Sequence, residues 1–245
     1  MALIEKRDLI LGRILKRYKR FLADVELEDG LVVTAHCTNT GAMTSCWEPG
    51  DPVLLEPAAN PARKLPFTWI ACRRGDTWIG VETGMPNRVV AEAARRDALP
   101  GLPGLQEVRT EVRYGSENSR IDVWALDSED RQVYIEVKNT TLKLGDAACF
   151  PDAATQRGLK HLRELQEMVR QGHRAAQVFF VHRGDVSHFD VAREIDPDYA
   201  RELDAASRCG VEVLPVRVRM EAQEGRASWT LGWDLDGLLP WTRRA

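Results

Sequence analysis

The chain has 245 residues, 44% of them hydrophobic, and a net charge of −3 from 34 basic and 37 acidic side chains. That composition excludes a disordered chain, and no apolar run nears the roughly 20 residues that span a bilayer. A slightly acidic total argues against a nucleic-acid-binding surface spread over the whole molecule. Glu5 and Asp8 stand where a signal peptide needs an apolar stretch, so a cytoplasmic location is expected. The cysteines (Cys37, Cys46, Cys72, Cys149, Cys209) are odd in number, widely spaced and without a Cys-x-x-Cys pair. They fit reduced thiols rather than a disulfide framework or a zinc ribbon.

The charge is unevenly spread. Residues 1–20 hold seven basic and two acidic side chains, a net +5, which leaves −8 for the remainder. Arg17-Tyr18-Lys19-Arg20 sets an aromatic ring in a basic cluster, which attracts phosphates by counterion release. The alternative is a solvated strand edge. Residues 21–27 then alternate with period two, Glu28-Asp29-Gly30 is a hairpin turn signal, and residues 31–35 return as a strand. Pro49-Gly50-Asp51-Pro52 breaks the chain before an apolar strand at 53–55, and 67–72 with 77–81 form a strand pair. Roughly five short strands in this stretch predict a small OB-type barrel. Arg63 and Lys64 with Trp69 give it a second basic–aromatic group, and basic grooves with stacking rings hold single strands on such barrels. The alternative for Trp69 is the barrel core. Asn39-Thr40-Gly41 is either a tight turn or a place where a ligand approaches Gly41. His36, Cys37 and Cys46 match no zinc spacing.

Beyond residue 84 the character becomes α/β. Residues 87–98 have helical composition, and strands follow at 107–114, 120–127 and 131–140. Asp152 is expected to cap a helix running to Gln171, followed by a strand at 176–182, a helix at 197–209 and a strand at 211–220. The expected domains are therefore 1–84, the barrel, and 85–245, an α/β domain.

Residues 120–140 carry the chemistry. If Ser128-Glu129-Asp130 is a three-residue turn, paired positions sum to 258 and Asp122 lies opposite Glu136. Ile121, Val123, Ala125, Val133, Ile135 and Val137 then form the core face, and Arg120, Asp122, Trp124, Tyr134, Glu136 and Lys138 the other. Opposed Cβ atoms lie about 4.5–5.5 Å apart, where like charges repel. Two such carboxylates need a shared proton or a cation, and oxygen ligands suit Mg²⁺ or Mn²⁺. Lys138, on the same side, would orient water or neutralise a phosphate. The alternative is a solvated face on which Arg120 and Lys138 offset the carboxylates. His161, set among leucines, reads as a packed or hydrogen-bonded side chain. No P-loop, dinucleotide fingerprint or Gly-x-Ser-x-Gly motif is present.

At these residues the sequence resembles a known family. Asn118-Ser119-Arg120-Ile121-Asp122, Glu136-Val137-Lys138, Phe150-Pro151-Asp152-Ala153 and the run from Thr155 to Leu162 look like the sugar fermentation stimulation protein A (SfsA) family. So do the runs from His36 to Met43 and from Asn60 to Trp69. Thr38 and Asn139 depart from the family's usual proline and serine. The resemblance implies an α/β (α+β) chain: an N-terminal OB-like β-barrel followed by a PD-(D/E)xK nuclease-like αβββαβ domain. It also implies DNA binding and a link to regulating sugar use, particularly maltose. Asp122, Glu136 and Lys138 match the superfamily triad, with Ile121 in place of its nominal proline. Glu92, on the helix ahead of the strands, matches a further metal-ligand position. Gln156 and Lys160, four apart on one helix face, would reach the site or a phosphate, the alternative being an ordinary solvated face. Two functions follow as expectations. One is a DNA-binding protein with a Mg²⁺- or Mn²⁺-dependent phosphodiesterase site, its barrel holding the strand through Arg17, Lys19, Arg20, Arg63 and Lys64. The other is a non-catalytic DNA-binding regulator of sugar metabolism.

Overall fold

A computed structural model of the chain describes residues 2–115 and 119–241. Asn118 of the first motif block, Met1 at the start of the first expected domain and residues 242–245 at the end of the second lie outside the described residues. Five strands close on themselves: β1 (Ile4–Tyr18), β2 (Leu22–Leu27), β3 (Val32–His36), β4 (Pro52–Pro57) and β5 (Phe67–Arg74). The pairings run β1–β2–β3–β5–β4–β1, antiparallel except for β3–β5, which is the OB arrangement. A short β6 (Thr77–Gly80) extends from β5 as a hairpin. Trp69 is fully buried, donates its Nε1–H to the Ala71 carbonyl at 3.0 Å and packs edge-on to Trp47. It belongs to the core and offers no stacking face.

The rest of the chain is α1 (Met85–Arg95), β7 (Gln106–Tyr114), β8 (Ser119–Leu126), β9 (Gln132–Thr140), β10 (Leu142–Leu144), β11 (Ala147–Phe150), α2 (Gln156–Arg170), β12 (Arg174–Val181), β13 (His188–Val191), α3 (Pro197–Cys209), β14 (Glu212–Glu224) and β15 (Trp229–Leu238). The main sheet orders β7-β8-β9-β12-β14-β15-β1, with β9, β12 and β14 parallel to one another. Strand β1 serves both sheets. Its first residues pair with β15, and its later residues pair with β4 and β2. A register shift between Lys6 and Leu9, with Asp8 at a φ of 57°, falls within the part paired with β15.

The αβββαβ unit formed by α1, β7–β9, α2 and β12 has a helix layer on each face of its sheet. Val123, Ala125, Val133, Ile135 and Val137 pack with the Val89 and Val90 side of α1. Ile121 and Tyr134 pack with Leu159 and Leu162 of α2, with Trp124 against them. The sequence had suggested one core face. The second is buried as well, because α2 returns across it between the parallel strands β9 and β12.

The start of α2 also corrects an expectation. Its cap is Thr155, which accepts the Gly158 N–H at 3.0 Å, and not Asp152. The Thr155 N–H in turn reaches Asp196, the cap of α3. Replacing Thr155 by alanine removes that bond and is expected to cost about 1 kcal/mol. Urea unfolding against the unsubstituted chain measures it, and no loss would mean the cap is idle.

Buried polar contacts fix the barrel and join it to the α/β domain. Lys6 of β1, 9% exposed, pairs with Glu56 at 2.7 Å and Glu82 at 3.0 Å. Arg183, 3% exposed, donates to the carbonyls of Ser45 and Thr141 while paired with Asp185. His182 is fully buried between Gly80 of β6, Asn139 of β9 and Trp233 of β15.

Candidate active site

The β8–β9 hairpin has the expected register. Ladder pairs run from Leu126–Gln132 to Val123–Ile135, and every pair sums to 258. The Asp127 N–H donates to the Arg131 carbonyl at 3.0 Å across the three-residue turn, and Asp130 takes a positive φ of 58°. The ladder ends one residue short of Asp122 and Glu136. There the Asp122 carboxylate itself accepts the Val137 N–H at 2.7 Å, and Asn87 of α1 donates to its other oxygen at 2.7 Å. The alternation of the hairpin breaks at the same place, since Ile121 packs on the α2 side and Val123 on the α1 side.

Glu136 is 3% exposed. Lys138 Nζ donates to its Oε1 at 2.7 Å, and His161 Nδ1 of α2 lies against the same oxygen. Its Oε2 is buried with no hydrogen-bond partner. Burial would push this carboxyl up, but Lys138 and His161 outweigh it and hold it below its ordinary range. Asp122 goes the other way. Burial first, and Glu136 second, raise it to about 6 against the pull of the Val137 N–H, Lys138 and Asn87. Two carboxyl groups near enough to couple thus shift in opposite directions, the pattern typical of sites that hold a proton or a cation.

Glu92 sits in a groove of about 510 Å³ between α1 and β7 that also reaches Asp122, with Arg88 and Arg95 on its rim. Arg96 holds Glu92 at 2.7 Å. Among the described residues, no three His, Cys, Asp or Glu side chains gather into a ready-made cage for a metal. Gln156 and Lys160 line a groove of about 750 Å³ along α2 with Tyr114, Tyr134 and Glu164. Glu164 is buried, and with Glu136 it raises the Tyr114 phenol, which burial already pushes up. His161 is hydrogen-bonded and buried, as the sequence suggested, but its partner Glu136 lies 25 residues away and left no local signal. Glu164 was not singled out from the sequence, because the Tyr114 ring it faces comes from β7 across the sheet.

The barrel residues divide. Arg17 donates to the carbonyls of Arg20, Asn39 and Gly41 at 2.7–2.9 Å, and Arg20 to that of Thr40 at 2.8 Å. They clamp the 39–42 loop. Lys19 and Lys64 are exposed, and Arg63 bonds Thr68 and His36. Gly41 closes on Asp152 instead of a ligand: the neighbouring Ala42 N–H donates to Asp152 at 3.1 Å, and a Cβ on Gly41 would overlap that carboxylate. The clamped loop is thus tied to the segment leading into α2. All five cysteines are unpaired, and among the described residues no helix is long and apolar enough to cross a membrane.

An OB barrel joined to an αβββαβ domain, with Asp122 and Glu136-Val137-Lys138 on adjacent strands, is the two-domain build that the sequence's resemblance implied. Residues 84–224 match the profile of the "Sugar fermentation stimulation protein RE domain", and residues 15–81 that of the "SfsA N-terminal OB domain". The chain belongs to the SfsA family. A sugar fermentation stimulation protein homolog of Geotalea uraniireducens is 51% identical over 212 residues, covering 86% of this chain and 90% of that protein. One from Rhodospirillum rubrum is 51% identical over 228 residues, covering 89% and 93%. The solved structure of Pyrococcus furiosus SfsA in complex with Ca²⁺ aligns with a TM-score of 0.83 at 27% identity, over 98% of both chains.

Proposed function

We propose that this chain is a DNA-binding protein whose nuclease-like domain hydrolyses phosphodiester bonds with Mg²⁺ or Mn²⁺. The observation that carries the reading is the state of Glu136: buried, tethered through Oε1 to Lys138 and His161, and left with Oε2 unsatisfied beside the reluctantly ionised Asp122. An orphaned buried carboxylate oxygen next to a second carboxyl fits a hard divalent cation. The Pyrococcus furiosus relative, solved in complex with Ca²⁺, supports that fit. Asp122 and Glu136 would hold the ion, with Glu92 as a further ligand from α1. A bound divalent ion supplies Lewis-acid activation of a phosphate and of water.

The chain's own side chains do the rest. Asn87 and the Val137 N–H fix the Asp122 carboxylate in place. Lys138, 13% exposed and tethered to Glu136, presents a positive charge where negative charge develops on a phosphate and orients the attacking water. Lys19, Arg20, Arg63 and Lys64 on the barrel and Gln156 and Lys160 on α2 hold the strand. Arg17 acts through the loop it clamps. Because the chain is acidic overall, the binding is local and falls steeply with salt.

The test separates binding from cleavage. Glu136→Gln is expected to retain DNA on a filter while cleaving at least roughly 100-fold more slowly. Lys19→Glu combined with Lys64→Glu is expected to weaken retention at every salt concentration and flatten its salt dependence. Cleavage undiminished in Glu136→Gln would sink the assignment of the site.

A further inference from the structure

His161 has a more specific place in the site than packing. We infer that it is a positioning residue that carries its proton on Nδ1, donates it to Oε1 of Glu136 and so reserves Oε2 for a ligand. The consequence for a ligand rests on the phosphodiesterase reading, while the tautomer does not.

Three contacts fix the tautomer. His161 Nδ1 lies against Glu136 Oε1. A carboxylate oxygen only accepts, so the proton of this contact stands on Nδ1. Arg157 Nε–H points at His161 Nε2 from 3.4 Å. A guanidinium has no acceptor, so Nε2 takes the accepting role and the proton belongs on Nδ1. Lys138 Nζ is 3.1 Å from His161 Nδ1 and 2.7 Å from Glu136 Oε1. These are two donors converging on one oxygen, not a bond between them.

The effect on Glu136 is directional. With Oε1 taken by both donors, the carboxylate cannot rotate without breaking two charge-assisted hydrogen bonds. Oε2 stays where it is, buried and unpaired. His161 is itself 5% exposed and its ring is held by Glu136, Lys138 and Arg157, so it is not free to swing away. Side chains that orient a metal-binding carboxylate in this way typically contribute about 10–100-fold to metal affinity or activity.

The experiment uses the full chain. Long-range ¹⁵N–¹H NMR of the histidine rings, with His161 assigned by its loss in His161→Asn, is expected to show Nδ1 protonated and Nε2 bare. A proton on Nε2 alone overturns the inference. Mn²⁺ titration calorimetry is then run on the unsubstituted chain, His161→Asn, His161→Gln and His161→Ala, each checked by its thermal midpoint. Asparagine places an N–H where Nδ1–H was, while glutamine places one near Nε2. Mn²⁺ affinity in His161→Asn is expected within about 3-fold of the unsubstituted chain, and in the other two roughly 10–100-fold weaker. Equal losses in Asn and Ala variants of matched midpoint overturn the positioning role. An unsubstituted chain that takes no Mn²⁺ but shows the Nδ1–H tautomer removes the metal reading and upholds the positioning of Glu136. An Nε2–H tautomer with intact Mn²⁺ binding does the reverse.

Discussion

Gly80→Ala is expected to lose at least about 3 kcal/mol, lowering the thermal midpoint by roughly 10 °C for a chain of this size. A Cβ at this position would overlap the imidazole of His182. That ring has nowhere to go. Trp233 Nε1–H donates to its Nε2 at 2.8 Å, its Nδ1 meets Asn139 at 3.1 Å, and Phe180 stands edge-on to it at 4.9 Å between centroids. The Gly80 N–H also donates to the His182 carbonyl at 3.0 Å, so the backbone cannot withdraw without losing that bond. Because β6 belongs to the barrel and His182 follows β12, the substitution acts on the joint between the two domains. Gly184→Ala is the control. Nothing lies within 4 Å of its added Cβ, and a change within about 0.5 kcal/mol is expected. Calorimetric melting of both variants decides it, and equal midpoints would mean that the joint yields.

The same ring shapes the dependence of stability on pH. His182 is buried and neutral, accepting from Trp233, and burial lowers it from 6.5 to about 3. Between these values the unfolded chain binds a proton that the folded chain refuses. Stability from this residue is complete above about pH 6.5 and falls by about 1.4 kcal/mol per unit as the pH drops toward 3. Asp122 opposes it. Raised to about 6 from 3.8, it takes up a proton in the folded state first, which adds stability as the pH falls between those values. In the absence of divalent ions the unsubstituted chain is therefore expected to lose less than about 1 kcal/mol between pH 6.5 and pH 5, and Asp122→Asn about 2 kcal/mol. Urea unfolding of both proteins at the two pH values measures the difference. Parallel profiles would contradict the raised Asp122.

The hairpin register was legible because two independent local rules agreed. A three-residue turn and period-two alternation specify the same pairing, and the ladder follows it to Val123–Ile135. Helix α3 was legible for the same reason, with Pro197 near its start and Gly210, at a φ of 109°, at its end. Strand β1 was not. It changes partners along its length and carries a bulge near Asp8, so no single alternation runs through its 15 residues. Strand β15 did carry a signal in Trp229, Leu231, Trp233 and Leu235, a period-two run that went unread. The candidate site was legible as far as its carboxylates and lysine, which share one hairpin. His161 and Asn87 come from helices on opposite faces of the sheet and meet the hairpin only in the fold. Asp152 looked like a helix cap because it precedes an apolar periodic stretch. Its contact with Ala42, 110 residues away, leaves no local trace.

The most direct measurement is a divalent-ion titration over single-stranded, duplex and flap DNA and RNA at physiological salt, with the unsubstituted chain beside Glu136→Ala. Cleavage that rises with Mg²⁺ or Mn²⁺ and falls at least roughly 100-fold in the variant, with DNA retention unchanged, is the expected result. Every substrate left intact at all ion concentrations, while DNA is still retained, would contradict catalysis and leave a binding protein on a nuclease-like fold.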